Sequence, residues 1–249
     1  MKILLASINC LKTEIALNLE THKRVIQEAA DDGCALVVFP EMSLTGYLDP
    51  TTQGDYFLTV DSWAVMELVK FGEALSVEML FGIAERSETG SFRIAHTHAA
   101  NGSISGVYRK RHLADNENAF TAGMNSYYGE VAGTGFGVAV CADYEVPDEF
   151  VAASKSGAKV VFHSSAPGLY GARRTDESAW QAGFDWWRSS TIEKHSRRAN
   201  ELGLHIAMCT QAGATEDEDF PGWSALFNPD GEIVDELPDW RAGNLSVEI

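Results

Sequence analysis

Three reactive side chains stand where apolar runs give way to loops. Glu41 follows Val37-Val38-Phe39-Pro40, Lys110 follows Val107-Tyr108-Arg109, and Cys141 follows Gly137-Val138-Ala139-Val140. Strand ends are where layered α/β folds usually carry function. Taken singly, these residues read as a solvated loop acid, a surface cation and a core thiol. Taken together they form a chemical set. A thiol near neutral pH is only partly ionised, so a catalytic cysteine needs a base for its proton and a positive group that favours thiolate. Glutamate supplies the first and lysine the second. Hydrolysis through a tetrahedral intermediate also needs donors for the oxyanion, and a lysine ammonium with a backbone N–H provides them.

The elements that must position this set are legible in outline. Residues 2–9 read as a strand, and residues 13–30 as a helix from the spacing of Ile15, Leu19, Val25 and Ile26, closed by Asp32-Gly33. The unbroken apolar run 35–39 fits a buried strand, 61–76 a helix, and 79–83 and 92–99 strands. Asn101-Gly102 predicts a tight hairpin into 105–108. Further on, 135–141 reads as a buried strand and 147–156 as a short helix with proline near its start. Residues 159–163 read as a strand, 179–202 as a long helix and 205–209 as a strand, and 223–227 pairs with Ile233-Val234 across Asn228-Pro229-Asp230-Gly231. Helices alternating with apolar strands predict a layered α/β or α+β domain, and no linker-like stretch divides the chain, so 1–249 is expected to be one domain.

Composition narrows the partners. Acidic residues outnumber basic ones 36 to 19, a formal charge of −17 that repels a phosphate backbone, so nucleic acid is not an expected partner. The opening apolar run is too brief for a signal peptide core and no run of membrane-spanning length follows, which predicts a cytoplasmic protein without a membrane partner. The four cysteines are widely spaced and predict reduced thiols. Seven histidines form no HExxH or paired His/Cys spacing, and no glycine-rich phosphate loop precedes a helix, so no metal and no cofactor is expected. His112, His163 and His195 read as structural or surface residues.

Three ordered segments carry a resemblance. Phe39-Pro40-Glu41-Met42-Ser43-Leu44-Thr45-Gly46-Tyr47, Tyr108-Arg109-Lys110-Arg111-His112-Leu113 and Gly137-Val138-Ala139-Val140-Cys141-Ala142-Asp143 are similar to those of the nitrilase superfamily, the carbon–nitrogen hydrolases with a Glu-Lys-Cys triad. Glu117-Asn118-Ala119-Phe120-Thr121-Ala122-Gly123 resembles the family's stretch with a second glutamate, with Ala122 where proline is commoner. Arg198-Ala199-Asn200-Glu201 and the hairpin from Gly222 to Gly231 agree as well. The resemblance implies a four-layer α-β-β-α sandwich with two central mixed sheets, commonly paired into a homodimer. It implies Glu41 as general base, Cys141 as the nucleophile that forms a thioester, Lys110 as oxyanion holder, the Ala142 N–H as second donor, and Glu117 as the residue that positions Lys110 and the substrate amide. Asp115 is the alternative to Glu117. Tyr47 is a further expected substrate contact.

Departures from the family pattern bear on the substrate. The chain reads Cys141-Ala142-Asp143-Tyr144-Glu145-Val146-Pro147-Asp148, with Glu145 where many relatives acting on carboxylate-bearing amides have arginine, which points to a basic or neutral amide. Arg173-Arg174 could instead bind a carboxylate, or be solvated. Trp180, Phe184, Trp186 and Trp187 line a pocket mouth or pack in a helix core or subunit interface. The chain stops soon after the late hairpin, which favours a dimer over a filament and no fused synthetase domain. Amidase activity is the primary expectation, with N-carbamoyl amine and nitrile hydrolysis as rivals on the same triad. An inactive ligand-binding or scaffold protein is the rival from another class.

Overall fold

The computed structural model describes residues 1–169 and 173–249. Its first half alternates strand and helix: β1 (Lys2–Ser7), α1 (Ile15–Asp31), β2 (Leu36–Val38), α2 (Pro50–Gln53), α3 (Trp63–Leu75), β3 (Glu78–Arg86), β4 (Phe92–Ala100) and β5 (Ser103–Arg109). The second half continues with β6 (Tyr128–Val131), β7 (Thr134–Val140), α4 (Asp148–Lys155), β8 (Val160–Ser165), α5 (Glu177–Leu202) and β9 (His205–Thr210). A two-stranded ribbon, β10 (Ala212–Ala214) with β11 (Asp219–Pro221), precedes β12 (Ser224–Phe227), β13 (Ile233–Glu236) and β14 (Gly243–Glu248).

The strands form two six-stranded sheets, in the orders β14-β1-β2-β3-β4-β5 and β13-β12-β9-β8-β7-β6. Each is mixed: β1, β2 and β3 run parallel, as do β7, β8 and β9, while the outer strands pair antiparallel. Successive side chains on a strand point to opposite faces, so a strand covered on both sides reads as an unbroken apolar run. Ile3, Leu5, Leu36, Val38, Val138, Val140, Val160 and Phe162 meet between the sheets. Their neighbours Leu4, Ala6 and Val37 pack under α1 and α3, and Ala139 and Val161 pack under α4 and α5. The layers are therefore α-β-β-α, as expected.

Local signals account for the element ends. Asp176 caps α5 by accepting a hydrogen bond from the Ala179 N–H, and Gly203 closes the helix in the left-handed conformation at φ +64°. Asn101 and Gly102 take φ +51° and +70°, the mirror-image turn that matches strand twist. Strand β7 ends one residue earlier than its apolar run suggested, because Cys141 leaves the extended region at φ +41° and opens a short 3₁₀ turn, Cys141–Glu145.

Candidate active site

Glu41, Lys110 and Cys141 arrive at one point from three strand ends, β2, β5 and β7. The loop carrying Glu41 lies flat on β3, with the Gly82 N–H donating to Ser43 Oγ at 3.1 Å. A Cβ on Gly82 would fall 2.2 Å from the Met42 nitrogen, so only glycine lets this backbone approach. Lys110 is fixed by its own peptide, whose N–H donates to the Ile94 carbonyl and whose carbonyl accepts from Gly123. Cys141 takes a backbone conformation that costs a non-glycine residue energy and that its surroundings must hold.

The side chains of Glu41, Lys110 and Glu117 are buried. Lys110 Nζ donates to Glu41 Oε1 at 2.8 Å and to Glu117 Oε1 at 2.7 Å. Glu117 Oε1 also accepts from the Tyr47 hydroxyl at 2.5 Å, and its Oε2 from the Ala114 N–H at 2.7 Å. Glu41 Oε2 accepts from the Ala166 N–H at 3.0 Å, and the Cys141 thiol lies near enough to the same carboxyl group to lower its pKa.

Burial and charge compete here, and burial wins at the base. Desolvation pushes the Glu41 carboxyl up to about 7, against the opposing pull of Lys110. Burial also pushes the Cys141 thiol well above its ordinary value, with the Glu41 charge adding to the effect. Burial by itself would lower the Lys110 ammonium, yet the charges of Glu41, Cys141 and Glu117 outweigh it and keep Lys110 protonated. The resting site thus holds a neutral thiol, a fixed cation, and a carboxyl group that exchanges its proton near neutrality.

Asp143 ties the Cys141 turn to the Lys110 loop. Its Oδ2 accepts from the Tyr108 hydroxyl at 2.7 Å and the Val140 N–H at 2.8 Å, and its Oδ1 from the His112 N–H at 2.9 Å. Asp143 and Ala166 have no role in the sequence reading. The signal for Ala166 was the parallel pairing of two apolar strands, which sets the end of β8 beside the end of β7.

Beside Tyr47 and Glu117 opens a cleft of about 510 Å³, whose wall includes Lys12, Asp49, Phe120 and Glu218. Tyr47 borders the cleft with its hydroxyl engaged by Glu117, and Ala142 is half-buried directly after the nucleophile. Glu145 does not border it: the side chain is exposed and its carboxylate pairs with Lys194 of α5 at 2.5 Å. The expected substrate contact at Glu145 therefore lies outside this cleft, with its carboxylate held by a lysine of α5. Arg173 does line the cleft, yet its guanidinium is held by Asp219 at 2.7 Å and by the Thr215 and Glu216 carbonyls, so it is a wall element and not a waiting anion receptor. Of the aromatic cluster, Phe184 and Trp187 are core residues and Trp186 is exposed. Among the described residues no cluster of three or more His, Cys, Asp or Glu side chains could hold a metal, and no helix is long and apolar enough to cross a membrane.

Comparison with known proteins extends this geometry. The carbon-nitrogen hydrolase family model matches residues 4–249. The glutamine-dependent NAD(+) synthetase of Acinetobacter baylyi is 25% identical over 96% of this chain and 42% of its own length. The chain thus spans less than half of that relative. The 2-oxoglutaramate amidase of Bacillus subtilis is 26% identical over 92% of this chain and 85% of its own. Among solved structures, a mutant of the amidase from Nesterenkonia sp. AN1, with acrylamide added at its active-site cysteine, superposes with a TM-score of 0.84 at 20% identity. That likeness covers 100% of this chain and 93% of the other.

Proposed function

Because the chain belongs to the carbon-nitrogen hydrolase family, we propose that it hydrolyses a small non-peptide amide through a Cys141 thioester, releasing ammonia or an amine. The observation that carries this is the buried convergence of Glu41, Lys110, Glu117 and the Cys141 thiol. Glu41 takes the thiol proton as sulfur attacks the carbonyl carbon, so a costly free thiolate never accumulates. Lys110 Nζ and the Ala142 N–H receive the oxyanion. Collapse breaks the C–N bond, and the proton on Glu41 leaves with the amine. Glu41 then deprotonates water, which attacks the thioester, frees the acid and returns the proton to sulfur.

Glu117 and Tyr47 act around this step. Glu117 holds Lys110 alongside Glu41 and orients the substrate amide, while the Tyr47 hydroxyl fixes Glu117. Among the described residues the cleft wall carries the acids Asp49, Glu117, Asp217, Glu218 and Asp219 against two basic residues, Lys12, paired with Asp217 and Glu218, and Arg173, paired with Asp219. This balance favours a neutral or basic amide over an anionic one. The protein is taken to work in the cytoplasm, in keeping with its four free cysteines. It is taken to pair as a homodimer, in keeping with exposed Trp186 beside a groove lined by Leu169 and Gly183; sedimentation velocity tests this.

The test is ammonia release from a panel of aliphatic amides, ω-amido acids, N-carbamoyl amines and nitriles, comparing the native protein with Cys141→Ala. Release from an uncharged or cationic amide that vanishes in the variant supports the reading. Turnover confined to carbamoyl compounds or nitriles moves the activity to those rivals. A Cys141 inert both to the panel and to a small alkylator would leave a binding protein.

A further inference from the structure

On the face of the second sheet turned away from the charged cluster lie two buried histidines that the mechanism above does not use. His163 sits on β8, on the face shared with Val161, and His195 reaches it from α5. His163 Nε2 is 3.1 Å from the Cys141 carbonyl oxygen, and His163 Nδ1 is 2.9 Å from His195 Nε2. A helix is thereby linked through two rings to the peptide of the nucleophile.

The hydrogens in this chain can run only one way. A carbonyl oxygen accepts and cannot donate, so His163 Nε2 carries the hydrogen, with Ser165 Oγ at 3.0 Å taking a second branch of it. In a neutral ring the other nitrogen is then bare, and it accepts from His195 Nε2–H. His195 Nδ1 is left bare in turn. That atom is buried and has no hydrogen-bond partner among the described residues, with the rings of Phe150 and Phe227 packed around His195. A hydrogen moved onto it would be an unpaired donor in apolar surroundings and would strip the Cys141 carbonyl of its His163 donor, so the contacts favour this tautomer over the reversed one. Both rings also stay neutral. Burial holds His163 down at about 3 and His195 well below the usual range, with Arg198 and Lys110 opposing charge on His163, and Arg198 and Lys194 opposing it on His195.

The consequence reaches the oxyanion. The peptide joining Cys141 to Ala142 is planar and trans, so its C=O and its N–H point in opposite directions. Anchoring the carbonyl on the histidine side turns the Ala142 N–H toward the other. Ala142 is second in the 3₁₀ turn Cys141–Glu145, where an N–H has no acceptor within its own helix. We propose that His163, held in its Nε2–H tautomer by His195, is a positioning residue that fixes the Cys141–Ala142 peptide with its N–H aimed at the oxyanion. The pair also supplies the hold that the positive φ of Cys141 requires.

This inference rests on the amide-hydrolysis reading, and its test separates the two. Nitrogen NMR of the native protein, labelled at histidine, reads the tautomers without a substrate. Both rings are expected as neutral Nε2–H from pH 5 to 9; a charged or Nδ1–H ring, with turnover intact, overturns this inference alone. The variants are His195→Leu, which removes the donor to His163, and His195→Gln, whose amide N–H replaces it. Their kcat and KM are measured on the amide that the native protein turns over. The rate of Cys141 alkylation by iodoacetamide, a reaction with no oxyanion, is measured alongside. For His195→Leu, kcat is expected to fall about 10- to 100-fold, with KM and alkylation rate changed less than about threefold. His195→Gln is expected to recover most of the loss. Parallel loss of turnover and alkylation, or no recovery with glutamine, overturns the inference in favour of a packing role. If His195→Leu does not fold, the native spectrum and His195→Gln decide. Absence of amide turnover by the native protein removes both readings.

Discussion

The two sheets contribute unlike things to the site. The first sheet delivers charge: Glu41 from the end of β2 and Lys110 from the end of β5, with Glu117 on the loop beyond. The second delivers the nucleophile and oriented backbone: Cys141 after β7, and the Ala166 N–H after β8. The two meet across an apolar core shared by both sheets. The division teaches that the base is tuned by assembly: Glu41 reaches about 7 because the sheets together exclude water from it, not because of its neighbours in sequence.

Removing the one atom that the second sheet alone provides should do the most. Cys141→Ala is expected to lower kcat by about 10⁴-fold or more in an amide hydrolysis assay, with Tm nearly unchanged. On the first-sheet side, Lys110→Met should cost about 10²- to 10³-fold in kcat, and a stopped assay at saturating substrate measures it. A loss there as large as that of Cys141→Ala would mean that the cation is needed to form the nucleophile and not only to hold the oxyanion.

The acid limb sharpens the comparison further. Glu41 works as a base only when ionised, so kcat/KM should rise about tenfold per pH unit below about 7 and level above it. A limb near 4.5 would show that the sheets leave Glu41 wet. The same shift acts on stability with a definite sign. A carboxyl whose folded-state pKa is raised stabilises the fold fully below its unfolded value, and this contribution is lost as pH rises through about 7. Glu41→Gln cannot titrate, so its Tm relative to the native protein should climb between pH 4 and pH 8, by roughly 6–12 °C on a calorimetric scan. The smallest effect is expected at Glu145: because its exposed carboxylate pairs with a half-buried lysine outside the cleft, Glu145→Gln should change kcat/KM less than about twofold.

Much of this was legible before any coordinates, for physical reasons. Strands buried on both faces write themselves as apolar runs, and β1, β2, β7, β8 and β9 all do so. Strand β14 does not, because GNLSVE mixes polar and apolar residues at a half-covered edge, and its partner lies at the other end of the chain. The ribbon β10–β11 is too short to show a period. In the site, Glu41, Lys110 and Cys141 could be picked out because reactive side chains at strand ends are unusual and complementary. For Glu145 and Arg173 the sequence shows a charge but not its partner, which the fold supplies as Lys194 and Asp219. The histidine pair was read as structural, and its link to the nucleophile appears only when β8 and α5 are brought together.

The pairing of β1 with β14 also has a bearing on how the chain is made. Lys2 lies opposite Glu248 and Ser7 opposite Gly243, so the outer edge of β1 is closed by residues translated about 240 positions later. During synthesis that edge stands open, with unpaired N–H and C=O groups on an apolar strand, while the residues between the two strands are made. The strand that opens the fold is also the last to be shielded, which makes this seam the expected place for a nascent or briefly unfolded copy to capture a strand from a neighbour.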